Sequence, residues 1–168
     1  MFTVPVGNYV KVSTVKRPSA NSTTTHDFGT IANPENAYDT DPATYAAFYS
    51  GINPEGGPVY DSYAYCVYSG FSSFTVLNAK LYVTVDGTGD GNTIMVSLDN
   101  GVNYPFQVVP STKLVGTDWV TALQTANLSL PNAVDPTHIK VKVSSYPANG
   151  TVTSAFSTLN VYDIYIEQ

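Results

Sequence analysis

Alternation of apolar and polar residues at every second position is the feature that most constrains this chain. It runs through residues 80–85 and returns through residues 138–143. Because successive side chains of a β-strand point to opposite faces, each segment predicts a strand with one buried face. The same reasoning, applied to all alternating segments, predicts a core that contains Leu81, Val83, Val85, Ile94, Val96, Ile139, Val141, Val143, Ile164 and Ile166.

Composition supports the same backbone along the whole chain. Good helix formers are scarce, with only three Glu and little Leu, whereas Val, Thr and Tyr are abundant. Many short strands between turns are typical of an all-β fold, and we predict an antiparallel β-sandwich of the jelly-roll kind. The predicted strands cover residues 8–15, 26–31, 44–50, 59–68, 74–85, 92–98, 103–109, 117–122, 137–145, 151–157 and 159–167.

Turn residues separate these strands. Asn and Gly, which tolerate positive φ, recur in the segments 33–34, 53–58, 86–91, 100–101 and 149–150. The Asn100-Gly101 pair lies between two apolar runs and predicts a β-hairpin. Pro105 in the second run predicts an edge strand or a bulge.

Length and cysteine content favour one domain over residues 1–168. A chain of this size buries enough surface to fold without a disulfide or a metal. Cys66 is the single cysteine and is expected to be a small buried apolar residue. Residues 17–25 contain nothing that can fill a core, and they predict either an extended arm or a long surface loop.

Charge excludes some partners. The net charge is −6, and the seven Lys and Arg residues are scattered, so we expect no nucleic acid partner. Neither a long apolar run nor a basic amphipathic stretch predicts contact with a membrane. The N-terminal residues do not have the pattern of a secretory signal, which predicts synthesis in a cytoplasm without export.

Groups arranged for catalysis are not evident in the sequence. His26 and His138 lie far apart and have no Cys or Glu at ligand spacing, so we expect solvent-facing or structural roles for both. The glycines at 87, 89 and 91 stand between two predicted strands rather than before a helix, which argues against nucleotide binding. We therefore predict that the protein is not an enzyme.

The segment Glu35–Tyr45 resembles a loop of galactose-binding-like jelly rolls, a superfamily that includes discoidin-type domains and many carbohydrate-binding modules. Its members share the pattern Ala-x-Asp-Gly-Asp-x-x-Thr-x-aromatic, in which Thr40 here replaces Gly and Tyr45 replaces Trp. In that superfamily the loop and an acidic residue of the last strand commonly hold structural calcium. The resemblance implies calcium ligands at Asp39, Asp41, Thr44 and Asp163.

An alternative for this loop needs no metal. Asp39 and Asp41 can form Asx turns, in which the carboxylates accept hydrogen bonds from nearby backbone amides. A second segment, Ser97–Tyr104, resembles the Ser-x-Asp-x-Gly-x-x-aromatic box of sialidase propellers and other β-proteins. In those proteins the box is a structural hairpin turn.

Tyrosines are concentrated in one predicted strand. On a strand, Tyr63 and Tyr65 share one face, whereas Tyr60 and Tyr68 share the other. Tyr45 and Tyr49 lie upstream. Three roles stay open for these rings, namely packing in the core, contact with another protein and stacking on a glycan.

These features together are similar in style to tailed-bacteriophage virion proteins of the capsid decoration, neck, tail or baseplate. The resemblance implies a structural protein that contacts other virion proteins or itself as a homo-oligomer, located in the virion. The alternative is a carbohydrate-binding module or receptor-binding domain that recognises host-surface glycans.

Overall fold

The computed structural model describes residues 13–51, 62–88, 92–108, 123–145 and 157–168, which form two packed antiparallel sheets. This is the all-β sandwich that the alternating sequence predicts. In spatial order, the first sheet contains β3 (Gly29–Ala32), β4 (Ala46–Ser50), β11 (Ser157–Glu167), β6 (Lys80–Thr88) and β9 (Gln124–Ser129), and β1 (Val15–Lys16) pairs with β11. It is called the six-stranded sheet below.

The second sheet packs against the first. In spatial order it contains β2 (Ala20–His26), β5 (Tyr63–Ser69), β10 (Lys140–Ser145), β7 (Thr93–Ser97) and β8 (Phe106–Gln107), and it is called the five-stranded sheet. Short 3-10 helices at Pro34–Tyr38 and Pro136–His138 precede β4 and β10. None of the helices in the described ranges is long and apolar enough to cross a membrane.

The core lies between the two sheets. All ten residues predicted to fill it are at most 2% exposed, so the prediction from alternation is confirmed. Phe48, Tyr68 and Leu159 are among the other large side chains there. One continuous apolar cluster connects the sheets through these inward positions.

The hairpin predicted at Asn100-Gly101 is confirmed, because β7 and β8 pair across it. Asn100 has φ 63° and Gly101 has φ 87°, the positive values that this turn requires. Strand β8 is the last strand of its sheet, as Pro105 predicts. The Asp99 carboxylate holds the loop closed, since its Oδ1 accepts from the Asn103 amide at 2.9 Å and from Ser97 Oγ at 2.6 Å.

The segment 17–25 differs from the prediction of an arm or a long loop. Most of it is β2, which pairs with β5 along its whole length from Ala20↔Ser69 to His26↔Tyr63. An edge strand needs backbone partners on one side only, and three consecutive β-branched Thr residues favour extended backbone. The lack of core-filling residues therefore did not prevent a strand.

Two other boundaries differ from the sequence predictions. Residues 86–88 were expected in a turn, but β6 continues through Thr88. Gly87 is buried there, and a Cβ at this position would lie 2.5 Å from the Thr158 carbonyl oxygen. Strand β9 was not predicted at all, whereas predicted strand 117–122 lies outside the described residues.

Candidate functional site

The loop predicted to bind calcium is a pair of turns closed by its own carboxylates. Asp39 Oδ1 accepts from the Asp41 amide at 2.8 Å, and its Oδ2 accepts from Thr44 Oγ1 at 2.7 Å. Asp41 Oδ1 accepts from the Ala43 amide at 2.9 Å. Thr44 and the Asp41 backbone lower the pKa of the Asp39 carboxyl, chiefly through the Thr44 hydrogen bond. These are the contacts of the Asx-turn alternative.

The fourth predicted ligand has a different partner. Arg17 donates two hydrogen bonds to Asp163, from Nε to Oδ1 at 3.0 Å and from Nη2 to Oδ2 at 2.8 Å. The described residues contain no group of three or more His, Cys, Asp or Glu side chains that could hold a metal ion. The structure thus groups Asp39, Asp41 and Thr44 but not Asp163 with them, and calcium at this loop stays a prediction.

The predicted tyrosine strand has the two faces expected. Tyr63 and Tyr65 are half-buried on the outer face of the five-stranded sheet, whereas Tyr68 is fully buried in the core. Tyr60 lies outside the described residues. Cys66 is buried as predicted, and burial raises the pKa of its thiol to about 11, so it is not a thiolate near neutral pH.

A column of stacked side chains crosses the outer face of the five-stranded sheet. The rings of His26 and Tyr63 stack with centroids 5.3 Å apart, and those of Tyr63 and Tyr65 with centroids 5.8 Å apart. Lys142 Nζ lies 4.1 Å from the centroid of Tyr65. Because these neighbours cover each other's ring faces, the column presents edges and hydroxyls rather than a flat platform.

The outer face of the six-stranded sheet carries a second column. Tyr82 and Tyr165 are directly opposite in register and stack at 5.0 Å with an interplanar angle of 14°. The Arg17 guanidinium that binds Asp163 also lies 5.5 Å from the centre of the Tyr165 ring. This end of the face is therefore filled by mutual contacts of its own side chains.

The other end of that face is more open. Tyr49 lies in β4, and Tyr45 directly precedes this strand. Both side chains project outward, and their exposed fractions are 40% and 41%. Between them on the same face is Ala47, which carries only a methyl group. At about 3.3 Å per residue, their Cα atoms are about 13 Å apart along the strand. The Tyr49 ring lies over Gly51, since a Cβ at position 51 would lie 2.5 Å from it.

Polar side chains lie in the same row as Ala47. Asn160 pairs in register with both Ala47 and Asp86, which places the three residues in one row across β4, β11 and β6. Asp86 Oδ1 accepts from Asn160 Nδ2 at 2.7 Å, and Oδ2 accepts from the Tyr162 hydroxyl at 2.8 Å. We call the set Tyr45, Ala47, Tyr49, Asp86 and Asn160 the Tyr45–Tyr49 site.

Tyr162 connects the aromatic and polar parts of the site. Its ring lies against Tyr45 with centroids 5.1 Å apart, and its hydroxyl donates to Asp86. Burial raises the pKa of Tyr162 to about 12, and the hydrogen bond and charge of Asp86 act in the same direction. The hydroxyl therefore remains a protonated donor across the neutral range.

Sequence reasoning found only part of this site. Tyr45 and Tyr49 were noted as neighbours of the tyrosine strand, but Asp86 was assigned to a turn and Asn160 was not singled out. The available signal was alternation: Asp86 continues the polar positions of residues 80–85, and Asn160 is polar between apolar Leu159 and Val161.

Comparison with known proteins identifies no family for this chain. Neither a family model nor a curated protein matches the chain. A similar solved structure is CBM32-1 from a family 31 glycoside hydrolase of Clostridium perfringens, with 17% identity, a TM-score of 0.46 and coverage of 90% of this chain and 96% of that one. The two-sheet antiparallel sandwich itself is shown by the strand pairings described above.

Two further matches are weaker. A cyclase from Fischerella sp. TAU in complex with 4-(1H-indol-3-yl)butan-2-one has 10% identity and a TM-score of 0.36, with coverage of 93% of this chain and 88% of that one. An apo cyclase from Fischerella sp. has 9% identity and a TM-score of 0.30, with coverage of 97% and 89%. Matches at these identities and TM-scores carry no argument, so function has to be argued from the site itself.

Proposed function

We propose that this domain is a non-enzymatic binding module that recognises a neutral glycan at the Tyr45–Tyr49 site. The observation that carries the proposal is the combination of two rings about 40% exposed with a row of fixed polar groups beside them. A sugar ring has apolar C–H faces and a rim of hydroxyls. The site offers an aromatic surface for the first and an amide with a carboxylate for the second.

Charge favours a neutral ligand over an acidic one. The carboxylate of Asp86 belongs to the site, and the chain as a whole has a net charge of −6. A uronic acid or a sulfated sugar would meet like charge at this position. A neutral sugar can instead donate its hydroxyls to the acceptor lone pairs that Asp86 retains.

The polar groups of the site are held in place before any ligand arrives. Asn160 and Tyr162 each donate to one oxygen of Asp86, at 2.7 and 2.8 Å, so the carboxylate orientation is fixed from two sides. The ring of Tyr49 lies against the backbone at Gly51. Such preorganisation lowers the entropy lost on binding, which matters for a site with few contacts.

A test begins with an array of neutral and acidic glycans, followed by calorimetry with the best neutral ligand. Tyr45→Ala should weaken binding by about tenfold or more, as for truncation of an aromatic residue central to an interface. Asp86→Asn should also weaken it, because the negative charge is lost and one of the two donors, Asn160 or Tyr162, then faces an amide NH2 group instead of an oxygen. Tyr63→Ala is the matched control, since it removes an outward tyrosine from the other sheet.

Three results would overturn the proposal. One is no binding to any neutral glycan on the array. Another is equal affinity for the wild type and Tyr45→Ala. The third is loss of binding in Tyr63→Ala alone, which would move the site to the five-stranded sheet.

A structural role in a bacteriophage virion is the second candidate function. The column of His26, Tyr63, Tyr65 and Lys142 favours it, because upright rings with covered faces suit packing against another protein surface. Binding of purified protein to virions, assayed for the wild type and for Tyr65→Ala, tests this candidate. Loss of particle binding in Tyr65→Ala with unchanged glycan binding would favour it over the glycan proposal.

A further inference from the structure

We infer that β2 is a self-pairing edge, at which two copies of this chain join antiparallel into one continuous sheet. The inference concerns an interaction surface distinct from the Tyr45–Tyr49 site and does not depend on which ligand that site takes. It rests on the position of β2, on its lack of charge and on its pairing symmetry.

Position is the first argument. Among the described residues, β2 is the outermost strand of the five-stranded sheet, and β5 is its sheet neighbour. It pairs with β5 over seven consecutive residues without a register shift, so no bulge interrupts it. A strand at a sheet edge presents unpaired N–H and C=O groups on its other side, which form a template for another strand.

The absence of edge protection in the sequence is the second argument. Soluble proteins usually block an edge strand with Lys, Pro, a bulge or an inward charge. The residues Ala-Asn-Ser-Thr-Thr-Thr-His of β2 include no Asp, Glu, Lys, Arg or Pro. The chain has a net charge of −6, but two copies that meet along β2 bring no like charges of this strand into contact.

Pairing symmetry is the third argument, and the register that pairs all seven residues of β2 has its twofold axis at the central residue, Thr23. A twofold axis at Thr23 places Ser22 of one copy opposite Thr24 of the other, and Ala20 opposite His26. Even-numbered residues lie on the outer face, because Thr24 and His26 are aligned with the outward Tyr65 and Tyr63. The symmetric register therefore pairs outer positions with outer positions and continues both faces of the sheet.

The other edges fit this role less well. Strand β8 has two residues and β3 has four, which is too short for a stable added strand. Strand β9 has six residues that also lack charge, one fewer than β2, and a variant of β9 therefore serves as the control below. Strand β2 is thus the longest uncharged edge in the part of the chain that the structure describes.

The experiment measures mass in solution and uses charge to test the register. At high concentration the wild type should approach twice the 18.0 kDa of one chain by light scattering or sedimentation. In the double variant S22K/T24K, a Lys at position 22 of one copy lies opposite a Lys at position 24 of the other, twice in the dimer. The repulsion between these ammonium groups should make the variant monomeric. The variant S22K/T24E places an ammonium opposite a carboxylate and should remain dimeric.

A variant of the other long edge, N127K on β9, is the matched control and should leave the dimer intact. A wild type that is monomeric at every concentration overturns the inference. So does an S22K/T24K variant that stays dimeric, an S22K/T24E variant that is folded but monomeric, or dissociation in N127K. Glycan affinity per site, measured on S22K/T24K, should be unchanged, so failure here is distinguishable from failure of the glycan proposal.

Discussion

Val141→Ala tests the sandwich core most directly. Val141 is fully buried in the middle strand of the five-stranded sheet, where it lies between Tyr68 on β5 and Val96 on β7. Both neighbours are themselves fully buried, and the side chain points into the cluster that joins the two sheets. The substitution removes two methyl groups from a site that water cannot reach.

The expected cost has two parts. Loss of two buried methyl groups at about 0.8 kcal/mol each removes about 1.6 kcal/mol of transfer free energy. The cavity adds to this because strands paired on both sides cannot move together to fill it, and a total of about 2–3 kcal/mol follows. For a chain of this length the melting temperature should fall by about 5–10 °C.

Denaturant unfolding monitored by circular dichroism measures this difference in unfolding free energy. The slope of the unfolding free energy against denaturant concentration should be the same as in the wild type. Val102→Ala is the matched control, because it makes the same chemical change at a side chain that is 78% exposed. The control should alter the unfolding free energy by less than about 0.5 kcal/mol. Equal effects of the two substitutions, or a cost below that value for Val141→Ala, would refute the assignment of Val141 to the core.

The remaining predictions concern ionisable groups. Burial and the neighbouring Asp86 raise the pKa of Tyr162 from 10.0 to about 12. The protonated hydroxyl therefore stabilises the folded state below pH 10, and this stabilisation is lost as the pH rises through 12. Tyr162→Phe should remove this alkaline loss in denaturant melts. Hydrogen bonds, first from the Asn103 amide, lower the pKa of Asp99 from 3.8 to about 2. That stabilisation is present above pH 3.8 and is lost as the pH falls through 2, so Asp99→Asn should flatten the acid side of the stability curve. If calcium binds the loop at Asp39, EDTA should lower the melting temperature, and Asp39→Ala should abolish the difference.

Alternation predicted the core because burial decides the identity of inward residues. A strand covered on one face must place apolar residues at every second position, whatever its neighbours are. The segments 80–85 and 138–143 show this pattern, and their apolar positions are all buried. The inward side of the sandwich could therefore be predicted without knowing which strand pairs with which.

Edge strands were harder to predict, for the same physical reason. In β9 only Ala126 is fully inward and buried, and in β2 no residue is buried. Such strands are held mainly by backbone hydrogen bonds to one neighbour, which leave little trace in composition. An arm or loop over 17–25 was the natural reading of a segment without core residues, although it is a strand.

The candidate site depends on pairing register, which sequence does not reveal. Ala47, Asn160 and Asp86 are far apart along the chain and meet because β4, β11 and β6 are neighbours in one alignment. A shift of one residue in any of these strands would turn one of the three inward. No local pattern in the sequence contains that alignment.

One irregularity of β11 organises both polar clusters on the outer face of the six-stranded sheet. The register with β6 shifts between Val161 and Asp163, so Tyr162 and Asp163 are both outside the core. Without this bulge, one of the two would point inward, and either the contact of Tyr162 with Asp86 or that of Asp163 with Arg17 would be lost. The sequence does carry a mark of it, because the buried Val161 and Ile164 are three residues apart where strict alternation requires two or four. A break in period is therefore as informative as the period itself, since it locates where a strand directs consecutive side chains to its outer face.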